Sequence, residues 1–125
     1  MRKLSIIVST LLLTSCIGGA ASTEVILESP TPGSVVSSPL VINGSAPGTW
    51  FFEANIVAEL QDQDGNVIAV KGISALGDWM TTEQVPFEGE MTFTTNVTEG
   101  MLVIRNDNPS GEPENDKSQS FPVRF

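Results

Sequence analysis

The sequence predicts an all-β domain, an immunoglobulin-like antiparallel β-sandwich of about seven strands, preceded by a signal peptide. Three observations carry that prediction. From Glu24 onward no stretch keeps the spacing of an amphipathic helix. Short apolar runs with period two recur instead, at sandwich spacing. The chain's eight prolines and its eleven glycines, all but Gly18 and Gly19 within this region, interrupt those runs with turn chemistry. A jelly roll or small barrel would satisfy the same pattern.

Residues 1–15 read as an export signal. Met1-Arg2-Lys3 is a short positive segment, and Leu4 to Leu13 is apolar but for Ser5, Ser9 and Thr10. That stretch is too short to span ~30 Å of hydrocarbon as a helix. Leu13-Thr14-Ser15-Cys16 then resembles the bacterial lipobox, in which cleavage precedes the Cys and its nucleophilic thiol takes up diacylglycerol. An ordinary signal peptide containing a Cys is the rival reading. Residues 16–23 are small and mostly polar, suited to a flexible tether. Two or more acyl chains hold a protein at a membrane without any spanning helix. Ile17 stands where many Gram-negative lipoproteins carry the Asp that retains them in the inner membrane, so in a two-membrane host the outer membrane is expected.

The folded domain is expected over residues 24–125. Val25-Ile26-Leu27 is a first strand, closed by the turn Ser29-Pro30-Thr31-Pro32-Gly33. Leu40 and Ile42 face one way, Val41 and Asn43 the other. The longest candidate runs from Trp50 to Gln61, with Phe52, Ala54, Ile56, Ala58 and Leu60 on one face. Asp62-Gln63-Asp64-Gly65 turns the chain, and Asn66 to Ile73 returns it as a hairpin partner. Val85 to Thr95 places Phe87, Met91 and Phe93 inward. Met101 to Arg105 adds a strand with Leu102 and Ile104 inward and Arg105 in water. Asn108-Pro109-Ser110-Gly111 is a turn, and Ser120 to Phe125 closes the domain.

Composition narrows function. There are 6 basic and 15 acidic side chains, a net −9, and cleavage before Cys16 would leave 4 against 15, or −11. That charge lacks the footprint of a nucleic-acid binder and repels anionic lipid surfaces. The chain has no His, which removes the usual general base and the commonest zinc ligand. One Cys allows no internal disulfide and no multi-cysteine metal site. No cofactor is expected. Fifteen acids permit a carboxylate pair by count, but no spacing singles one out, and Lys71 and Lys117 lack the context of a Ser–Lys pair. An enzyme is therefore not expected.

A set of phrases in fixed order is more specific. Ser29-Pro30 with Pro32-Gly33, Val36-Ser37-Ser38-Pro39-Leu40, Gly44-Ser45-Ala46, Trp50-Phe51-Phe52-Glu53-Ala54 and Asp64-Gly65-Asn66-Val67 come first. Gly77-Asp78-Trp79-Met80-Thr81-Thr82, Val85-Pro86-Phe87, Asp107-Asn108-Pro109-Ser110-Gly111 and Pro113-Glu114-Asn115-Asp116 follow. Together they resemble the Gmad2 immunoglobulin-like domain of bacterial sporulation and spore-germination lipoproteins, from Val25 to Phe125. The resemblance implies a β-sandwich outside the cytoplasm that acts as an interaction module without catalytic residues. Germination proteins often pair this domain with a GerM-type domain, for which this chain has no room. The implied role is a membrane-tethered module that binds another envelope protein.

Four groups of residues are candidates for sites. Asp62 and Asp64 offer oxygens at alternate positions, as calcium loops do, yet position 73 is Ile where such a loop ends in Glu. A plain hairpin turn is the simpler reading. Asp107, Asn108, Glu112, Glu114 and Asp116 form an acidic, turn-rich loop that could gather a hard cation or meet a basic partner, the simpler reading being a solvated loop. Trp50, Phe51 and Trp79 are either a stacking platform for a cell-wall glycan or plugs at the ends of the sandwich. Asn43-Gly44-Ser45 and Asn96-Val97-Thr98 match the glycosylation sequon and are read as turns.

Overall fold

The computed structural model describes residues 25–125, so the expected signal peptide, the lipobox-like Leu13, Thr14, Ser15 and Cys16, and the expected tether lie outside the described residues. Seven strands form: β1 Ile26–Ser29, β2 Leu40–Pro47, β3 Asn55–Asp62, β4 Val67–Ala75, β5 Gln84–Met91, β6 Glu99–Arg105 and β7 Ser118–Arg124. All strand pairs are antiparallel, in the order β1-β2-β5-β4-β3-β6-β7. The sheet curls on itself. β4 pairs with β3 from Val67 to Ser74 and reaches β5 with its last two residues, Ser74 and Ala75, which joins the two layers.

Period two decides what is inside. Ile42, Ile56, Ala58, Leu60, Phe87, Leu102 and Ile104 are 0–1 % exposed and meet in one core with Ile73, Met91 and Val123. Each fully buried Ile, Leu, Val, Phe or Met among them contributes about 1.5–3 kcal/mol over its exposed state. The inward sets expected for β2, β5 and β6 are those observed. Phe93 lies past the end of β5 but still packs on the core, its ring edge-on to Phe125 at 5.6 Å.

Two devices close the curl. Val35 bridges Arg124 in parallel, with Val36 N–H donating to the Arg124 carbonyl at 2.7 Å. At the other end of β7 the Gln119 amide bonds both backbone groups of Val25. The outer sides of β1 and β7 are thereby tied to neighbouring segments at two points.

Two expectations are corrected. The strand foreseen from Trp50 begins only at Asn55: Gly48–Trp50 is a turn of 3-10 helix, and Glu53 and Ala54 take φ of 51° and 66°. Phe52 and Asn55 exchange both backbone hydrogen bonds around this pair, making a tight hairpin. The left-handed pair resets the alternation, so Phe51 is buried and Phe52 is 40 % exposed, the reverse of the expected faces. Asn43-Gly44-Ser45 is no turn; it lies within β2. Gly44 is there because a Cβ would run into the Ile26 carbonyl of the neighbouring strand.

Candidate functional site

The strand register sends three loops to one end of the molecule. Pro47 pairs with Gln84, Asn55 with Ser74, and Arg105 with Ser118, so residues 48–54, 76–83 and 106–117 emerge side by side. Contacts between the loops fix their arrangement. Gly48 N–H donates to the Glu83 carbonyl at 3.0 Å, and Asp107 N–H donates to the Trp50 carbonyl at 3.0 Å. The Asn55 amide donates to the Asp107 carboxylate, also at 3.0 Å. Gly48 lies against the backbone carbonyls of Trp79 and Thr81, an approach that leaves no room for a Cβ.

The β6–β7 loop holds its own shape. Asn106, buried, accepts from Lys117 N–H at 2.9 Å and donates to the Asn115 carbonyl at 2.9 Å. Asn108 donates to the Glu112 carbonyl and to the Asp116 carboxylate, and accepts from Ser110. Ser110 Oγ in turn accepts from Glu112 N–H and from the Asn115 amide. Asp107-Asn108-Pro109-Ser110-Gly111 thus works as a polar knot in which short side chains satisfy backbone groups that have no strand partner.

Two adjoining depressions cross this end. One, of ≈ 430 Å³, lies between Phe51, Phe52, Asp107, Asn108, Glu114 and Lys117. The other, of ≈ 370 Å³, lies between Gly48, Trp79, Met80, Thr81 and Thr82. Thr49 and Phe51 line both, so the two form one groove. Its apolar wall is exposed: Phe52 at 40 % and Met80 at 75 %.

The structure therefore brings Phe51, Trp79, Asp107, Asn108 and Glu114 together, with Glu112 and Asp116 on the same loop. Trp50 is 6 % exposed and belongs to the core, so it offers no ring face for a sugar. Phe51 likewise stacks inward, 6.4 Å from Phe87 between ring centres. Trp79 is half-buried against the core and keeps part of its surface in the groove. Asp62 and Asp64 lie at the opposite end, at the β3–β4 turn. There Asp62 accepts from the N–H groups of Asp64 and Asn66 and from the Asn66 amide, which is turn chemistry. The Asn66 N–H and side chain hold its carboxyl below the usual Asp value. Among the described residues no three Asp, Glu, His or Cys side chains converge as a metal site.

Sequence reasoning missed Thr49, Phe52, Asn55, Ser110, Lys117 and Met80 as parts of this end. Only Met80 carried a signal, an apolar side chain inside a polar loop. Phe52 was hidden because the Glu53-Ala54 pair lacks the Asn-Gly chemistry that marks such a hairpin.

A closed seven-stranded scaffold with three interlocked loops at one end defines an immunoglobulin-like β-domain. The family model described as the immunoglobulin-like domain of bacterial spore germination matches residues 24–112, and the chain belongs to this Gmad2 family. The match ends within the β6–β7 loop, short of the Phe125 to which the resemblance extends; β7 nonetheless completes the sheet. No curated protein and no solved structure matches the chain.

Proposed function

We propose that the chain is a lipid-anchored, non-catalytic module of the bacterial envelope that binds a protein partner through its three-loop end. One observation carries this reading above others: loops from three different strand connections are bonded to one another and expose Phe52 and Met80 along a shared groove. A rigid scaffold that presents ordered, partly apolar loops is the usual construction of a recognition surface. The family's description supports a place in spore germination. The motif ending in Cys16 supports the anchor, which would confine the domain to a thin shell and raise its effective concentration for neighbours there.

Photoreactive side chains placed in the full chain at Phe52 or Met80, and at Val35 or Val67 as controls away from the groove, test the reading in intact cells. One dominant protein adduct from the groove positions and none from the controls is expected; equal adducts from all four positions would refute it. Glycan binding is the weaker reading, since only Trp79 of the two tryptophans keeps exposed surface. It requires Trp79→Ala to abolish retention on purified cell wall.

A further inference from the structure

The chain enters the domain at the same end that carries the groove. β1 begins beside the end of β2, with Ile26 opposite Ser45, and Val25 is tied to Gln119 at the start of β7. Cys16 is nine residues upstream of Val25. Nine residues reach at most about 30 Å. A lipid on Cys16 would therefore keep the groove end within about 30 Å of the bilayer and bias it to be the nearer one, the opposite end lying a further strand length away, about 26 Å for eight residues.

That end is also where charge gathers. Loops 48–54, 76–83 and 106–117 carry Glu53, Asp78, Glu83, Asp107, Glu112, Glu114 and Asp116 against Lys117 alone. The opposite loops, 30–39, 63–66 and 92–98, carry only Asp64. Asp107 and Glu114 line the groove itself beside Lys117, the other acids lie on the loops around it, and Phe51, Phe52, Trp79 and Met80 supply its apolar surface. A net-acidic end of this kind does not fit an anionic lipid surface, which repels it. It fits a cationic polypeptide: acids at the rim steer a basic segment in, and the groove between Phe52 and Met80 takes an apolar side chain out of water.

We propose that the groove docks a Lys/Arg-rich segment, bearing an apolar anchor residue, of a partner held at the same membrane. The inference rests on the interaction reading above and gives that reading its orientation and the chemistry of its partner. The groove end is the nearer to the membrane, and the partner's basic segment lies within the tether's reach of it.

The test uses the full, lipidated chain in vesicles of zwitterionic lipid. A donor dye on Thr82→Cys should be quenched by acceptor-labelled lipid more strongly than one on Val35→Cys; equal quenching overturns the orientation. A synthetic peptide alternating Lys and Leu should bind, and one alternating Glu and Leu should not. Asp107→Asn/Glu112→Gln/Glu114→Gln should weaken the Lys peptide about tenfold at low salt. Phe52→Ser/Met80→Ser should weaken it about fivefold at any salt, while Asp64→Asn leaves it unchanged. Equal binding of both peptides, or indifference to both sets of groove variants, overturns the docking. Stronger retention of a Cys16→Ser chain on bare vesicles than of its Phe52→Ser/Met80→Ser derivative gives the groove to lipid and also overturns it. Release of the Cys16→Ser chain from membranes reports on the anchor alone, so failure of the anchor reading is seen separately from failure of the groove.

Discussion

The side chain of Gln119 does the work of a peptide group. Its amide accepts from Val25 N–H at 3.1 Å and donates to the Val25 carbonyl at 3.2 Å, across 94 residues of sequence. β1 and β7 stand at the two ends of the strand order, and this pair of bonds closes the gap between them where the chain enters the domain. Closure here keeps β1 in place and with it the direction in which any tether leaves.

Gln119→Leu removes both bonds and leaves two backbone groups of Val25 to find water. Each net hydrogen bond is worth about 1 kcal/mol, so a loss of about 1–2 kcal/mol is expected. In a domain of this size that lowers the melting temperature by several degrees, about 4–8 °C per kcal/mol. Amide exchange at Ile26 and Leu27 should accelerate by more than exchange at the core strands β3 and β6. Uniform acceleration would show that the pair does not act locally.

The hairpin at Phe52–Asn55 places two ordinary L-residues at positive φ. A non-glycine residue there costs about 1–2 kcal/mol. Replacing Glu53-Ala54 by Asn-Gly gives the turn the residues its geometry suits. Stability should rise by about 0.5–2 kcal/mol, read from urea midpoints, with Phe52 still exposed. An unchanged or lower midpoint would mean that the native pair makes compensating contacts.

That same hairpin marks where the sequence stops being legible. Inward faces of β2, β5 and β6 follow from alternation alone, because Leu40, Ile42, Phe87, Leu102 and Ile104 gain from burial whatever the neighbours are. Alternation through Trp50 to Gln61 fails at Glu53 and Ala54, since nothing in their side chains announces φ above zero. The mid-strand place of Gly44 depends on how closely the Ile26 backbone approaches, a long-range fact no local pattern contains. The groove suffers in the same way. Asp107 and Trp79 are visible as polar-loop and aromatic residues, but their neighbourhood depends on three loops meeting through Gly48, Asn55 and Trp50.

Outside the core, Glu59 is 9 % exposed and takes both Arg105 Nε and Nη2 on one carboxylate oxygen, at 3.3 and 3.1 Å. Gln61 donates to the other at 2.7 Å. Arg105→Ala strips a shielded carboxylate of its counter-charge. The Arg105 side chain is 43 % exposed, so the pair itself is worth little and the cost comes mainly from the stranded Glu59, about 1–2 kcal/mol. Adding Glu59→Gln to Arg105→Ala should recover much of the loss. No recovery in the thermal midpoint would place the effect of Arg105 in packing rather than charge.

Asp62 gives the fold a dependence on acid. Its carboxylate accepts from Asn66 N–H, from the Asn66 amide and from Asp64 N–H, and these donors favour the charged form. Its folded pKa therefore lies below the unfolded value of about 3.9. The stabilisation is fully present above that unfolded value and fades as pH falls through the folded pKa. Wild type should exceed Asp62→Ala in urea midpoint at pH 6, and the gap should narrow progressively below about pH 4. A gap constant down to pH 2 would show that the carboxylate's charge is irrelevant to the turn.

Gly48 offers the sharpest probe of whether the three loops act as one surface. A Cβ at this position meets the backbone carbonyls of Thr81 and Trp79, neither of which can swing away as a side chain does. Gly48→Ala must therefore push residues 79–81 outward or stretch the Gly48–Glu83 bond. Strain of this kind costs about 1–3 kcal/mol. The groove between Thr49 and Met80 should change shape at the same time, because its two walls are the segments forced apart. Trp79 fluorescence should shift toward the red as its ring gains water, while the amide spectrum of the opposite loops, residues 30–39 and 63–66, stays as in wild type. Perturbation spread evenly over both ends would mean that Gly48 supports the whole sheet rather than the coupling of these loops.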